Sequence, residues 1–208
     1  MKVAFDYVQN LFRLPIARYI LSDNNQNLFP QLFGITKCDE LRIWTNHHIP
    51  VDELKYVLER VQVSKFLRLN LHNNSGFESG FVQFSMDHLK IKQAFWITIE
   101  TFLAMDCVRI ELKGNEVLPI REFVSQWLSS RNTRFEWMKI SWNEERTIWN
   151  QGFRRWDAAI RDRYFKFNNY EKVDCQHGYD FLREDGLLAT VVWRHNRIYF
   201  VVWHKRFQ

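Results

Sequence analysis

The chain has 208 residues, of which 46% are hydrophobic and 16% aromatic, so it is long enough to bury one sizeable core and too apolar to be disordered. Its formal net charge of +5 comes from Lys and Arg scattered among Asp and Glu, which excludes a basic tail and leaves a mild preference for acidic partners. Because Asp6, Arg13 and Arg18 interrupt the first apolar stretch and no apolar run of about 18 residues occurs, the sequence indicates neither a signal peptide nor a membrane-spanning helix.

The first segment, residues 1–35, is predicted to be a helical cap. Apolar residues at helical spacing, such as Val8 and Leu11, indicate short helices. These helices are predicted to be interrupted at Pro15 and Pro30, because proline removes a helical hydrogen bond and clashes with the preceding turn.

The second segment, residues 36–144, is predicted to be a region of strand-helix repeats. Five short stretches alternate apolar with polar residues, which is the pattern of strands with one buried side. They follow one another at intervals of about 20 to 30 residues, the range in which solenoid repeats fall. The predicted strands are 40–44, 66–72, 88–92, 107–114 and 137–142. Amphipathic helices are predicted between them at 51–61, 98–105 and 120–128.

Strands that are separated by helices favour a parallel sheet, because each crossover returns the chain to run in the same direction. Polar residues occupy the alternate positions of these strands, which indicates that helices cover only one side of the sheet. The predicted fold class is therefore α/β, an irregular leucine-rich-repeat-like half-solenoid with a C-terminal antiparallel β meander.

The third segment, residues 145–208, is predicted to contain a connecting helix and that meander. Trp149 and Phe153 fall at roughly helical spacing within the predicted helix, which spans 145–164. Strand-like runs follow at 179–185, 186–193 and 197–203. They are joined by the turn signals Asp185-Gly186 and His195-Asn196.

Several motifs in the second half of the chain form a recognisable set. One helix ends in Met105-Asp106-Cys107 and leads into a strand, and a second helix carries Trp127 and is followed by Asn132. The chain closes with the runs YDFLREDGLLATVVW and FVVWHKRF. In these motifs, and across nearly its whole length, the chain resembles the type 2 F-box-associated domain that is expanded in nematodes.

The resemblance implies a function in protein interaction. It indicates the target-binding part of an F-box adaptor, which presents other proteins to a cullin-RING ubiquitin ligase. We therefore expect a non-catalytic intracellular module, cytoplasmic or nuclear, whose partner is an unknown and possibly acidic target protein. The F-box itself does not fit within this chain, so binding of the ligase adaptor is expected only if an F-box lies upstream.

The sequence predicts neither an enzyme nor a cofactor or metal site, because no phosphate loop, zincin helix or nucleophile elbow is present. Cys175 and His177 lie two residues apart, but a metal site needs a second pair of ligands, so a turn is the favoured interpretation. His47 and His48 are interpreted as solvated loop residues. Cys107 is interpreted as a small buried hydrophobe.

The best candidate site is a row of polar residues on the open side of the predicted strands. Cations stacked in register would attract an acidic ligand, and an outward-pointing Trp44 would contribute contact area to partner binding. A solvated surface without any partner is the competing interpretation. The predicted partner-binding residues are Arg42, Trp44, Arg68, Asn70, Lys90, Lys92, Arg109 and Lys139.

A nucleic-acid-binding module that uses the same basic surface is the alternative function. Its phosphate contacts would weaken steeply with added salt. Interspersed acidic residues and the lack of exposed aromatic platforms, such as those of RNA-recognition motifs, make this the weaker prediction. A copy that has kept the fold but no partner is a third hypothesis.

Overall fold

A computed structural model of the chain describes residues 16–25, 27–71, 74, 76–115, 117–141 and 161–204, together with 2–4, 7 and 157. The chain divides into two compact units. The first comprises Met1–Cys107 and Leu112–Gly114, and the second comprises Val108–Glu111 and Asn115–Gln208. No helix in the described ranges is long and apolar enough to cross a membrane.

The first unit is built on a parallel sheet. Its strands are β1 (Arg18–Ser22), β2 (Lys37–Trp44), β3 (Gln62–Asn70) and β4 (Ser85–Lys92), and its helices are α1 (Val51–Arg60) and α2 (Ile99–Leu103). Two 3₁₀ turns, Asp23–Asn25 and Pro30–Phe33, lie between β1 and β2. The four strands pair in sequence order, and all three pairings are parallel. The predicted parallel sheet is therefore confirmed for this unit.

The sheet of the first unit has one fully buried and one half-buried side. In β2, Leu41 and Ile43 have no exposed surface, whereas Arg42 between them is half-buried. Successive residues of a strand point to opposite sides, so the alternation in sequence becomes a difference between the two sides of the sheet. β3 and β4 repeat the pattern with buried Leu67, Leu69, Leu89 and Ile91.

The helices of this unit follow from local sequence. α1 has Asp52 in its first turn and Arg60 in its last, which complements the helix dipole, and it buries Leu54 and Val57. α2 begins after Thr98, whose hydroxyl oxygen accepts the backbone N–H of Thr101 at 3.1 Å and so caps the helix.

The second unit is largely antiparallel. It contains the helix α3 (Ile120–Ser129) and the strands β6 (Trp137–Ser141), β7 (Tyr164–Lys166), β8 (Lys172–Asp174), β9 (Tyr179–Leu182), β10 (Leu188–Arg194) and β11 (Arg197–Trp203). The strand β5 (Asp106–Lys113) is divided between the two units. Strands β6, β11, β10 and β9 pair antiparallel in that order, and β7 pairs with β8 in a separate hairpin.

Aromatic residues form the centre of the second unit. Phe200 of β11 is fully buried, and its ring centroid lies 5.3 Å from that of Trp127 and 5.5 Å from that of Phe135. Phe123 approaches the same ring at 6.3 Å. The apolar stripe of α3 predicted from residue spacing is therefore the side by which this helix contacts β11.

The α/β class is confirmed, and the predicted meander corresponds to β9, β10 and β11. The leucine-rich-repeat-like half-solenoid and the three segment boundaries stay predictions. The helical cap is corrected at residues 18–22, which form β1. Tyr19 and Ile20 are good strand formers, and parallel pairing with β2 satisfies the backbone groups of this segment. The predicted connecting helix lies almost entirely outside the described residues.

Candidate functional site

Six of the predicted partner-binding residues lie together on the half-buried side of the first unit's sheet. Strand register places Arg42, Arg68 and Lys90 directly beside one another, in one row across three strands. A second row, two residues further along each strand, contains Trp44, Asn70 and Lys92. We refer to these six residues as the polar strand face. Each of them is half-buried, so part of every side chain remains accessible.

A third row of this surface contains Glu40, which holds two arginines. Its carboxylate accepts hydrogen bonds from Nε and Nη2 of Arg18 at 2.7 and 3.1 Å and from Nη2 of Arg42 at 2.9 Å. The Arg18 hydrogen bond, together with both positive charges, holds the pKa of Glu40 below its usual range. One carboxylate thus neutralises one of two cations, and a positive charge is left over.

Aromatic rings position the two central arginines. Cζ of Arg42 lies 4.8 Å from the ring centroid of Phe66, and Cζ of Arg68 lies 5.7 Å from that of Trp44. The Nε atoms of both arginines are enclosed and form no hydrogen bond with any described residue. A cation over an aromatic ring contributes about 0.5–1 kcal/mol at an exposed site and more where it is desolvated. The rings therefore hold these guanidinium groups in place on the polar strand face.

The charges of the polar strand face repel one another. Paired strands lie about 4.8 Å apart, and like charges directly opposite one another destabilise a sheet. Within the described part of the chain, Arg68 forms no ion pair, and Arg42 shares its carboxylate with Arg18. A carboxylate or phosphate group placed over Arg42 and Arg68 would relieve the repulsion. The chemistry that this surface supports is binding of an anionic group next to an aromatic ring.

Two predicted site residues belong to the second unit and differ from the other six. Arg109 is exposed, but its Nε lies 2.6 Å from a carboxylate oxygen of Glu136, which compensates its charge. Lys139 is only 6% exposed and forms an ion pair with Glu171, and its Nζ lies 5.9 Å from the ring centroids of both Phe167 and Tyr199. The prediction that Lys139 lies on an open surface is wrong, because β6 is buried on both sides.

The sequence analysis missed three residues of this surface, which are Glu40, Phe66 and His88. They form the row next to the one that contains Arg42. The ring centroids of Phe66 and His88 lie 4.9 Å apart. A signal was present in the sequence. Each of the three precedes a predicted site residue by two positions in its strand, which places it on the same side of the sheet.

The cysteines and histidines weighed in the sequence form no site among the described residues. Cys175 is buried, and burial raises the pKa of its thiol to about 12, whereas His177 is exposed. His47 and His48 are exposed in the loop before α1, and Cys107 is buried at the start of β5. Within the described ranges, no three His, Cys, Asp or Glu side chains come close enough to hold a metal ion.

Comparison with known proteins shows which protein family part of the chain resembles. Residues 79–140, which contain β4, α2, β5 and α3, match a family described as F-box associated. Two uncharacterized proteins of Caenorhabditis elegans are similar to the chain: F59B2.9 is 28% identical over 134 residues, and F59B2.8 is 25% identical over 136 residues. Each alignment covers 59% of this chain but only 32% or 31% of the relative, so the chain spans about a third of their length. No solved structure matches the chain significantly.

Proposed function

We propose that this chain is a non-catalytic protein-interaction module, the target-recognition part of an F-box adaptor of a cullin-RING ubiquitin ligase. The match of residues 79–140 to a family described as F-box associated and the similarity to nematode proteins support the proposal. Such a module works inside the cell, in the cytoplasm or the nucleus. Binding of the ligase adaptor is the task of an F-box in the same polypeptide. The role proposed for the residues described here is to bind the target protein.

The observation that carries the proposal is the register of the polar strand face. Arg42 and Arg68 stand side by side, with Trp44 under one of them, on the half-buried side of the sheet. Arginine and tryptophan are the residues that most often dominate the energy of protein interfaces. An acidic segment of a target protein fits this surface, because its carboxylates pair with the arginines while an apolar side chain packs on the tryptophan.

The polar strand face supports a protein target better than nucleic acid. Glu40 lies within the same surface and its pKa is lowered, so it stays ionised and repels a continuous run of phosphates. Nucleic-acid binding depends on many phosphate contacts and on exposed aromatic platforms for the bases. A target peptide with separated acidic residues avoids Glu40.

The test compares partner capture by the wild-type chain and by Arg68→Glu. Tagged proteins are used to enrich partners from nematode lysate, and recovered proteins are quantified by mass spectrometry. We expect Arg68→Glu to lose the partners of the wild type, because it turns attraction at the centre of the surface into repulsion. Lys55→Glu, at an exposed position of α1, is the matched control with the same change in charge. This control should retain the partners of the wild type. Equal recovery by all three proteins would contradict the proposal.

The ligase role has its own experiment. An F-box is fused to the N-terminus of the chain, and a partner captured by the wild type is assayed for ubiquitination with purified ligase components. Ubiquitination of that partner by the wild-type fusion, and not by the Arg68→Glu fusion, is the expected result. A partner that binds but is never ubiquitinated would support the interaction role and contradict the ligase role.

A further inference from the structure

The hairpin of β7 and β8 in the second unit has one packed side and one exposed side. On the packed side, the ring centroid of Phe165 lies 5.3 Å from that of Trp203, and Phe167 lies 5.0 Å from Trp137. These rings surround a cluster of buried residues that includes Val173 of β8. Packing of this kind holds the hairpin firmly against the rest of its unit.

An ion pair beneath the hairpin fixes it further. Glu171, just before β8, accepts a hydrogen bond from the buried ammonium group of Lys139. The backbone N–H of Glu171 also donates to the side chain of Asn168 in the turn at 2.9 Å. Glu171 is therefore committed to holding the hairpin, and its carboxylate is not available to neutralise cations on the exposed side.

The exposed side of the hairpin carries two lysines that face each other. Lys166 of β7 and Lys172 of β8 are directly paired across the two strands, and both are exposed. The nearby Arg163 is already neutralised, because its Nη2 lies 2.7 Å from a carboxylate oxygen of Asp174. Among the described residues, neither lysine forms an ion pair. Like charges in this position destabilise a hairpin, so folding alone does not account for them.

The hairpin also carries two exposed tyrosines. Tyr164 lies two residues before Lys166 and therefore on the same side of β7. Its ring centroid is 4.6 Å from Nζ of Lys172 and 5.2 Å from Cζ of Arg163. Tyr170, in the turn, is 99% exposed. Tyrosine is enriched in protein interfaces because its ring is apolar and its hydroxyl forms hydrogen bonds.

We infer that the exposed side of this hairpin is a second docking surface, formed by Tyr164, Lys166, Tyr170 and Lys172, and that it binds an acidic segment of a partner protein. A carboxylate of that segment bridges the two lysines and removes their repulsion, while apolar groups of the partner pack on the tyrosines. The inference is independent of the polar strand face, since no residue is common to the two surfaces.

The observations favour a protein partner over nucleic acid. The surface offers two uncompensated cations, whereas nucleic-acid binding rests on a longer series of phosphate contacts. Arg163, which lies close to Tyr164, adds no third cation for phosphate contacts, because its ion pair with Asp174 holds the pKa of that carboxyl down to about 2 and the pair stays neutral.

The test measures binding of a fluorescently labelled hexaglutamate peptide to the full chain by anisotropy. Lys166→Glu combined with Lys172→Glu is compared with Lys55→Glu combined with Lys113→Glu, which makes the same change in net charge at exposed positions elsewhere. We expect a loss of affinity of roughly tenfold for the hairpin variant and less than about twofold for the control. Repeating both measurements in an Arg68→Glu background removes the contribution of the polar strand face, so that failure of one surface is distinguished from failure of the other.

Three outcomes would overturn the inference: equal losses in the two double variants, no binding of the peptide in the Arg68→Glu background, or tighter binding of single-stranded oligothymidylate that depends on the same lysines. Circular dichroism checks that each variant is folded. The milder pair Lys166→Gln and Lys172→Gln keeps the side chains polar and of similar length. The affinity of this Gln variant for the peptide should fall by roughly threefold, about half of the decrease of the Glu variant on a logarithmic scale. The reason is that the Gln variant removes the positive charges without adding negative ones.

Discussion

Arg161 and Asp180 form an ion pair that is withdrawn from solvent. Nε of Arg161 lies 2.9 Å from Oδ1 of Asp180, and the two side chains are 0% and 4% exposed. The hydroxyl of Thr190 donates to the same carboxylate oxygen at 2.6 Å, and Nη2 of Arg161 donates to the backbone oxygen of Cys175 at 2.8 Å. The pair and its hydrogen bonds therefore link the segment before β7 to strands β9 and β10 within the second unit.

Arg161→Met is predicted to destabilise the protein strongly, because it leaves the Asp180 carboxylate buried without its partner. Removing one member of a buried ion pair costs about 3–5 kcal/mol. Arg163→Met is the matched control, since Arg163 pairs with Asp174 through side chains that are 44% and 28% exposed, and its loss should cost less than about 1 kcal/mol. Urea denaturation measures both free energies of unfolding. Equal losses would show that the burial of the first pair does not matter.

Asp174 is predicted to make stability depend on pH in the acidic range. The hydrogen bond from Arg163 lowers the pKa of Asp174 to about 2, below the value of about 3.9 for an unfolded aspartate. The pair thus stabilises the folded state above a pH of about 4, and this contribution is lost as the pH falls from about 4 to about 2. Asp174→Asn should show a smaller decline of the urea midpoint over that window than the wild type. Parallel declines in the two proteins would contradict the assignment.

The thiols are predicted to be unreactive in the folded protein. All three cysteines are buried, and burial raises the pKa of Cys38 to about 11 and that of Cys175 to about 12. Because the thiolate is the nucleophile, Ellman's reagent at a pH of about 8 should react only after denaturant is added. A thiol that reacts rapidly with the native chain would show that one of these sites opens readily.

Glu40→Gln is predicted to strengthen binding of an acidic peptide to the polar strand face. The change frees Arg18 and Arg42 from the carboxylate that both now share, so the affinity should rise by roughly fivefold, which corresponds to about 1 kcal/mol. Asp39→Asn is the matched control, because it makes the same change in charge at the next residue, where the carboxylate pairs with Lys65 instead. An equal increase in both variants would indicate a general effect of net charge.

Local patterns in the sequence predicted much of the secondary structure. The alternation of Leu41, Arg42 and Ile43 predicted which side of β2 is buried, because neighbouring side chains of a strand always point to opposite sides. His195-Asn196 predicted the hairpin of β10 and β11, since the turn requires positive φ at both positions, and these angles are 50° and 57°. Patterns of this kind are short and do not depend on distant residues.

Other features have no local signature. Strands β7 and β8 are only three residues long, and their role becomes visible only when Phe165 and Phe167 pack on residues distant in sequence. β1 was predicted as helix because its strand character depends on pairing with β2. Lys139 alternates with apolar residues as Arg42 does, yet it is buried with Glu171, a residue 32 positions away.

The sequence by itself determined which residues of each strand share a side, where the hairpin turns fall and which family the chain resembles, because these depend on neighbouring residues and short motifs. Only the tertiary structure decided that Arg42 and Arg68 stand side by side, that Lys139 is buried and that Lys166 faces Lys172. The physical reason is register: a one-residue shift between two strands changes every cross-strand neighbour, and register is set by packing across the whole unit.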